Sequence, residues 1–125
     1  MPDRVLAGPY PGAADKREAA AKLKAFLAAG VTCFIDLTEE RDGPPSLPLH
    51  PYEQLLAKVA KQQGIRVVHL RMPIRANSIP SSWQMRAILG AIREALSERE
   101  LVYVHCWGGV GRTGTVIACL TEASQ

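Results

Sequence analysis

The chain lacks the features that would place it in several broad functional classes. Its 125 residues contain no apolar run of the ~18 residues that a membrane span needs and no signal-peptide pattern, so we expect a cytoplasmic location and no membrane partner. No run of Lys or Arg stands out, and a net charge of +3 is too small to indicate nucleic-acid binding. The three cysteines have neither metal-ligand spacing nor a disulfide pattern. We therefore predict no metal and no organic cofactor.

What the sequence does contain is typical of one globular domain. Apolar residues make up 47% and charged residues 22%, and the length suits a single domain over residues 1–125 with a sizeable core. Cys33 and Cys119 lie in apolar runs and are predicted to be core thiols.

Strand and helix patterns alternate four times along the chain. We expect strands near residues 4–7, 31–37, 65–70 and 101–104, each followed by a helix. This order predicts an α/β fold: a mainly parallel, twisted sheet of about four strands flanked by helices. Ligands of such sheets bind beyond the carboxyl ends of the strands. The loops at that edge are residues 38–50, 71–80 and 106–112.

Local signals place the helix ends. Asp15 is the predicted N-cap of the first helix and Gly30 its C-terminal glycine, while Ser81 or Ser82 caps the third. An apolar stripe is predicted to bury one face of the third helix. Its members are Trp83, Ile88, Leu89, Ile92 and Leu96.

One glycine-rich stretch links the last predicted strand to the last helix. It reads His105-Cys106-Trp107-Gly108-Gly109-Val110-Gly111-Arg112-Thr113-Gly114. A cysteine near a helix N-terminus and a guanidinium has a lowered pKa, and the thiolate is the nucleophilic form. Arg112 offers a planar fork that can bind two phosphate oxygens at once. The stretch therefore predicts an anion site with a nucleophile at its entrance.

The main chain of the loop suits a tetrahedral oxyanion. Its three glycines allow the backbone to approach a ligand closely, so the N–H groups of residues 107–111 are candidate donors to phosphate. Inorganic phosphate or sulfate should also occupy such a loop. Thr113 is placed to hydrogen-bond the sulfur and help it leave. The Trp107 side chain has the alternative of packing behind the loop.

The stretch resembles the signature of the protein tyrosine phosphatase superfamily, His-Cys-x5-Arg followed by Ser or Thr. It is most similar to the dual-specificity branch, and within it to the cyclin-dependent-kinase-associated phosphatase type and its bacterial relatives. The resemblance implies a cysteinyl-phosphate route with Cys106 as nucleophile, Arg112 as phosphate clamp and Thr113 as helper in the second step. It implies that His105 orients the loop and favours the thiolate. Implied substrates are a phosphorylated protein or an aryl phosphate.

The general acid implied by the resemblance is missing. The resembled phosphatases often read Pro-Ile-x-Asp after the third strand, whereas this chain reads Pro73-Ile74-Arg75-Ala76, and no Asp or Glu occurs from residue 73 to 93. One interpretation, which we favour, is an engineered Asp-to-Ala change that traps substrate. A second is a natural phosphate-binding protein with little turnover. In the third a carboxylate of the 38–50 loop, best Asp42, substitutes, although a solvated loop charge is the commoner role for such residues.

Three functions compete on this sequence. The first is a phosphatase of the protein-tyrosine or dual-specificity kind, and the second is a pseudophosphatase that binds phosphoproteins with low turnover. The third, an arsenate reductase or sulfurtransferase, fits the position and length of the loop poorly. The absence of Lys within the loop favours a protein or aryl substrate over a phosphoinositide. Arg71 and Arg75, with His69, are candidates to steer anionic substrates.

The last predicted helix stops at Gln125. The resembled family normally continues with one or two further helices. The alternatives are a minimal form of the fold or a shortened C-terminus.

Overall fold

Four strands and four helices alternate in the computed structural model, which describes residues 4–39, 42, 51–75 and 78–123. The strands are β1 (Val5–Gly8), β2 (Val31–Asp36), β3 (Val68–Arg71) and β4 (Leu101–His105). The helices are α1 (Lys16–Ala28), α2 (Glu53–Gln62), α3 (Ser82–Ser97) and α4 (Gly111–Ala123).

All strand pairs in the sheet are parallel, and the spatial order is β1-β4-β2-β3. The last strand of the chain, β4, therefore lies in the interior of the sheet between the first two. Its final residue His105 is in register with Gly8 on one side and Asp36 on the other. The carboxyl ends of these strands thus meet at one edge, as the α/β prediction requires.

Helices cover both faces of the sheet. The α3 and α4 side packs Ile88, Ile92 and Val116 against strand residues such as Ile35. The α1 and α2 side forms a second cluster around Phe34. A parallel sheet buried on both faces needs nearly continuous apolar strands, which explains why only one of the six β2 residues falls short of full burial.

The predicted helix ends are confirmed. The Asp15 side chain accepts a hydrogen bond from the Arg17 N–H at the start of α1, and Gly30 follows its end with φ of 98°. Ser81 and Gln84 form a reciprocal capping box at the start of α3. Each cap satisfies backbone groups that the helix ladder leaves without a partner.

Two predictions at element level are wrong. Trp83 is 67% exposed, because at about 100° per residue it lies 120–180° around α3 from the buried Ile88, Ile92 and Ala95. The third strand begins at Val68 rather than at residue 65, since its pairing with β2 starts at Cys33. Ile65 and Val67 pack against the second core cluster instead.

Cys33 is fully buried and Cys119 half-buried, and both contact the α3–α4 side of the core. Burial raises the pKa of the Cys33 thiol to about 12. Within the described ranges no helix has the length and apolar character needed to cross a bilayer. No group of three metal-ligating side chains occurs there either.

Candidate active site

The glycine-rich stretch lies at the carboxyl edge of the sheet, directly between β4 and α4. Cys106 follows the last strand residue, and the main-chain N–H of Gly114 already donates to the Val110 carbonyl as the first turn of α4 forms. Cys106 is 3% exposed and Arg112 is 9% exposed. We refer to residues 106–112 as the cysteine loop.

The surroundings of Cys106 favour its thiolate. Burial raises the pKa of the thiol, but hydrogen bonds from Thr113 and Gly109 and the charge of Arg112 outweigh burial and hold that pKa below its ordinary value. The Gly109 N–H donates to the sulfur at 3.3 Å. Thr113 is itself buried, and both its hydroxyl and its main-chain N–H act to lower the pKa of Cys106.

Arg112 is fixed on one edge of its guanidinium. Its Nη1 donates to the carbonyls of Ile74 at 2.9 Å and Leu37 at 3.4 Å. Its Nη2 forms an ion pair with Asp42 at 2.5 Å. A guanidinium carries five N–H donors, and no acceptor among the described residues meets the Nε–H. The edge that carries Nε therefore has a donor available to a phosphate oxygen.

Asp42 does not fit the solvated loop charge that its sequence context suggested. It is 6% exposed, and its carboxylate faces the guanidinium of Arg112. That carboxylate is therefore engaged in an ion pair with the guanidinium, and the structure assigns it no role as a proton donor. Of the other two carboxylates in that region, Glu39 is half-buried and Glu40 lies outside the described residues.

The backbone of the cysteine loop presses against the end of β1. Gly109 has φ of +79°, and a Cβ atom there would overlap the Gly8 carbonyl carbon and lie 2.5 Å from the Pro9 nitrogen. Only glycine fits this position. Among the described residues no acceptor meets the N–H groups of Trp107, Gly108 and Val110. Those donors are available to a ligand.

Aromatic side chains support the loop from below. The Tyr10 ring lies 5.4 Å from the Trp107 ring and 5.6 Å from the His105 ring. The main-chain N–H of Tyr10 donates to the Trp107 carbonyl. The Tyr103 hydroxyl donates to the Pro9 carbonyl at 2.5 Å. The Trp107 side chain thus packs behind the loop, while Val110 is 80% exposed at its tip.

His105 is fully buried, and its contacts define its tautomer. Nδ1 faces the Cys106 carbonyl at 3.3 Å and must donate, so Nε2 accepts from the Tyr52 hydroxyl at 2.6 Å. Burial lowers the pKa of His105 to about 4, which agrees with a neutral ring. The hydrogen bond from Nδ1 holds the main chain at the residue that carries the sulfur.

Sequence reasoning missed a second buried polar group, Asp36. Its Oδ2 lies 3.1 Å from His69 Nε2, and its Oδ1 accepts from both the N–H and the hydroxyl of Thr38. Burial raises the pKa of Asp36, but these hydrogen bonds bring that pKa below its ordinary value. The sequence does contain a signal for Asp36: it is the carboxylate that ends a largely apolar strand, at the edge of the sheet where ligands bind.

The loop after β3 contributes the Ile74 carbonyl to Arg112. Ala76, the expected general-acid position, lies outside the described residues. Arg71 and Arg75 are exposed, as expected for groups that steer anions. The His69 side chain is only 8% exposed and lies between Asp36 and Glu53, whose Oε1 is 3.7 Å from Nδ1. It therefore does not belong to the exposed basic surface.

Comparisons with known proteins point in one direction. A family model, Tc-R-P, described as "Polymorphic toxin system, DSP-PTPase phosphatase", matches residues 12–123. Protein 067L of Invertebrate iridescent virus 3, named as a proposed tyrosine phosphatase, is 31% identical over 121 residues. Those residues are 94% of this chain and 42% of the viral protein, so the chain spans about two fifths of that relative.

Solved phosphatase structures share the fold. A glycine-to-alanine mutant of Tk-PTP superposes with a TM-score of 0.71 and 25% identity over 100% of this chain and 70% of that chain. Kinase-associated phosphatase, with its catalytic-site cysteine replaced by serine, superposes with a TM-score of 0.60 and 20% identity. That match covers 95% of this chain and 64% of the other, and at this identity it speaks for the fold alone.

Proposed function

Since the chain belongs to the DSP-PTPase phosphatases of polymorphic toxin systems, within the protein tyrosine phosphatase superfamily, we propose that it hydrolyses phosphomonoesters through Cys106. The observation that carries the proposal is a buried thiol just before α4 that accepts the Gly109 N–H at 3.3 Å, with the buried Arg112 guanidinium acting to lower its pKa. A thiolate in that setting is a nucleophile at neutral pH.

Binding of the phosphate group uses two sets of donors. The edge of the Arg112 guanidinium that carries Nε binds two phosphate oxygens. The remaining phosphate oxygens accept from the main-chain N–H groups of the loop, at Trp107, Gly108, Val110 and Gly111. Inorganic phosphate or sulfate fits the same donors. These hydrogen bonds strengthen as charge develops on the oxygens during transfer, which is where such donors contribute most to rate.

Two displacements complete the reaction. The Cys106 sulfur attacks phosphorus, so an S–P bond forms, the ester P–O bond breaks, and the leaving oxygen takes a proton from solvent. Water then attacks the phosphorus of the cysteinyl-phosphate and loses a proton to solvent, the S–P bond breaks, and the products are the Cys106 thiolate and inorganic phosphate. The Thr113 hydroxyl, held against the sulfur, stabilises the departing thiolate in this second step.

The source of the proton for the leaving oxygen determines which phosphomonoesters can react. With alanine at position 76 and Asp42 paired to Arg112, no carboxylic acid is assigned to the leaving oxygen. Aryl phosphates, including phosphotyrosine, leave with less need of a proton than alkyl phosphates. We therefore propose phosphotyrosine or aryl phosphates as substrates, with slow turnover, and a dual-specificity range only if an acid is supplied.

A phosphoprotein-binding pseudophosphatase is the second candidate, favoured by the absence of any acidic residue from 73 to 93. In that case the cysteine loop binds phosphotyrosine and turnover has no role.

Hydrolysis of an aryl phosphate by the purified chain and by its Cys106→Ser variant separates the two. We expect slow release of the aryl alcohol, a phosphate adduct on the Cys106 peptide after acid quenching, and loss of both in the variant. The Cys119→Ser variant, whose sulfur lies on α4 away from the loop, serves as the matched control. Phosphopeptide binding without an adduct or release would favour the pseudophosphatase. Release that survives Cys106→Ser would overturn the mechanism.

A further inference from the structure

Asp36 lies beneath the site and touches none of the atoms that would react. Its side chain is 4% exposed, and it stands at the end of β2, in register with His105 on β4 and Arg71 on β3. Burial of a carboxylate this deep is unfavourable unless its partners compensate for the lost hydration.

Its contacts lead to the next two residues along the chain. Oδ1 accepts from the Thr38 N–H at 3.0 Å and from the Thr38 hydroxyl at 2.5 Å. These two bonds close a tight turn over residues 36–38. Leu37, in the middle of that turn, is held again by its N–H, which donates to the His105 carbonyl at 2.9 Å.

The Leu37 carbonyl is the point where this turn meets the site. It accepts from Arg112 Nη1 at 3.4 Å and from the Ile74 N–H at 3.0 Å. Ile74 lies in the loop after β3, and its own carbonyl accepts from Arg112 Nη1 at 2.9 Å. The turn therefore bears on the direction of the guanidinium in two ways: the Leu37 carbonyl contacts Arg112 directly, and it also holds Ile74, whose own carbonyl contacts Arg112. A shift of that carbonyl would tilt the edge that faces phosphate.

We propose that Asp36 is a positioning residue for Arg112, acting through its two hydrogen bonds to Thr38 and the Leu37 carbonyl between them. His69 holds the other carboxylate oxygen and so fixes the carboxylate plane. The inference rests on the proposed function, because it concerns how the guanidinium receives a phosphate group.

Phosphate binding is the direct readout, and calorimetry with inorganic phosphate on the Cys106→Ser background measures it without turnover. We expect Asp36→Ala to weaken phosphate binding at least tenfold. Asp36→Asn keeps the Oδ1 acceptor for Thr38, and its amide can donate to His69, so binding should stay within about threefold of the parent. Rescue by asparagine would not follow if the residue served only as a buried charge.

A second variant keeps the test decisive if Asp36→Ala does not fold. Thr38→Val removes one of the two hydrogen bonds while preserving shape and the N–H donor, and it should weaken phosphate binding severalfold. Asp15→Ala removes a helix cap at the exposed start of α1 and should leave phosphate affinity unchanged, which controls for lost stability.

The outcomes separate this inference from the function it rests on. Folded Asp36→Ala with the parent's affinity, unchanged binding in Thr38→Val, or an Asp36→Asn variant as weak as Asp36→Ala would each overturn the positioning role. A parent protein that binds no phosphate would instead overturn the proposed function, and the positioning role with it.

Discussion

Two regions of the site differ sharply in how they are held. On the binding side, formed by the cysteine loop and the residues that contact it, the side chains of His105, Cys106 and Arg112 are buried. Arg112 has three contacts, His105 two hydrogen bonds, and Gly109 fits against the main chain of Gly8. The loop after β3, residues 72–81, is anchored by the buried Ile74 and Pro80 but carries Ile79 at 83% exposure.

In the proposed function, phosphate binding and proton donation depend on separate parts of the molecule. The described residues between the two anchors, Arg75, Ser78 and Ile79, are exposed, and none of their side chains makes a buried hydrogen bond. On the binding side, loss of the Arg112 or His105 side chain leaves a buried donor or acceptor without its partner, at a cost of about 1–3 kcal/mol each. A chain can therefore lose its general acid and keep a complete phosphate site.

Arg112→Lys should break the binding side with the largest effect. Lysine cannot reproduce the planar fork that grips two oxygens while three other contacts orient it, so we expect kcat/KM for an aryl phosphate to fall by about 10²–10³-fold. Arg75→Lys, on the exposed loop, should change kcat/KM by less than about threefold. Equal losses in both variants would contradict the distinction between the two regions.

Ala76→Asp should supply a proton donor on the loop after β3. A carboxylic acid near the leaving oxygen typically contributes about 10²–10⁴-fold, and we expect a gain near the lower end, with phosphate affinity unchanged. The gain should be larger for an alkyl phosphate, whose leaving oxygen needs the proton more. Ser78→Asp, two residues further on the same loop, is the matched control. A gain below about tenfold, or an equal gain in the control, would argue against position 76 as the site of the lost acid.

Gly109→Ala tests the contact between the cysteine loop and β1. A methyl group there meets the backbone of Gly8 and Pro9, and the residue has a positive φ, so we expect about 2 kcal/mol of lost stability together with reduced turnover. Gly108→Ala adds the same methyl group where nothing lies within 4 Å and should be nearly neutral. Chemical unfolding of the two variants measures the difference, and similar curves would count against the tight fit.

His105 gives the smallest effect, seen in the pH dependence of stability. Its pKa is about 4 in the fold, against an ordinary 6.5, so the unfolded chain takes up the proton first and stability falls as pH drops from about 6.5 to 4. Between pH 7 and 5.5 the loss should be about 1 kcal/mol. His105→Gln should remove this pH-dependent loss, so the difference in unfolding free energy between the parent and the variant should change between pH 7 and 5.5. Parallel pH profiles would show that the histidine is not held neutral.

Much of this organisation could be predicted from the sequence, because its signals are local. Asp15, Gly30 and Ser81 mark helix ends through bonds to near neighbours, and the strand–loop–helix pattern around Cys106 placed the glycine-rich turn correctly. Trp83 was assigned to the wrong face, because it was grouped with the stripe for its apolar character although its spacing puts it 120–180° away around the helix. Such an error follows when apolar character is counted without its angle around the helix.

Long-range partners could not be predicted. Asp42 meets Arg112 across seventy residues of chain, and Asp36 meets His69 only because β2 and β3 pair in one register. The same holds for Gly8 and Gly109, whose contact depends on β1 lying beside β4. Sequence spacing carries no information about such pairings, which the topology of the sheet decides.

The interior position of β4 also bears on how the molecule is made. Ribosomes deliver β1, β2 and β3 first, yet β1 has no neighbour in the sheet until β4 emerges between it and β2. Pairing β1 with β4 joins segments about a hundred residues apart, which is entropically slow, and it must await the synthesis of β4. A nascent chain that stops before α4 lacks Arg112 and Thr113, which lower the pKa of Cys106, so we expect its thiol to be unreactive.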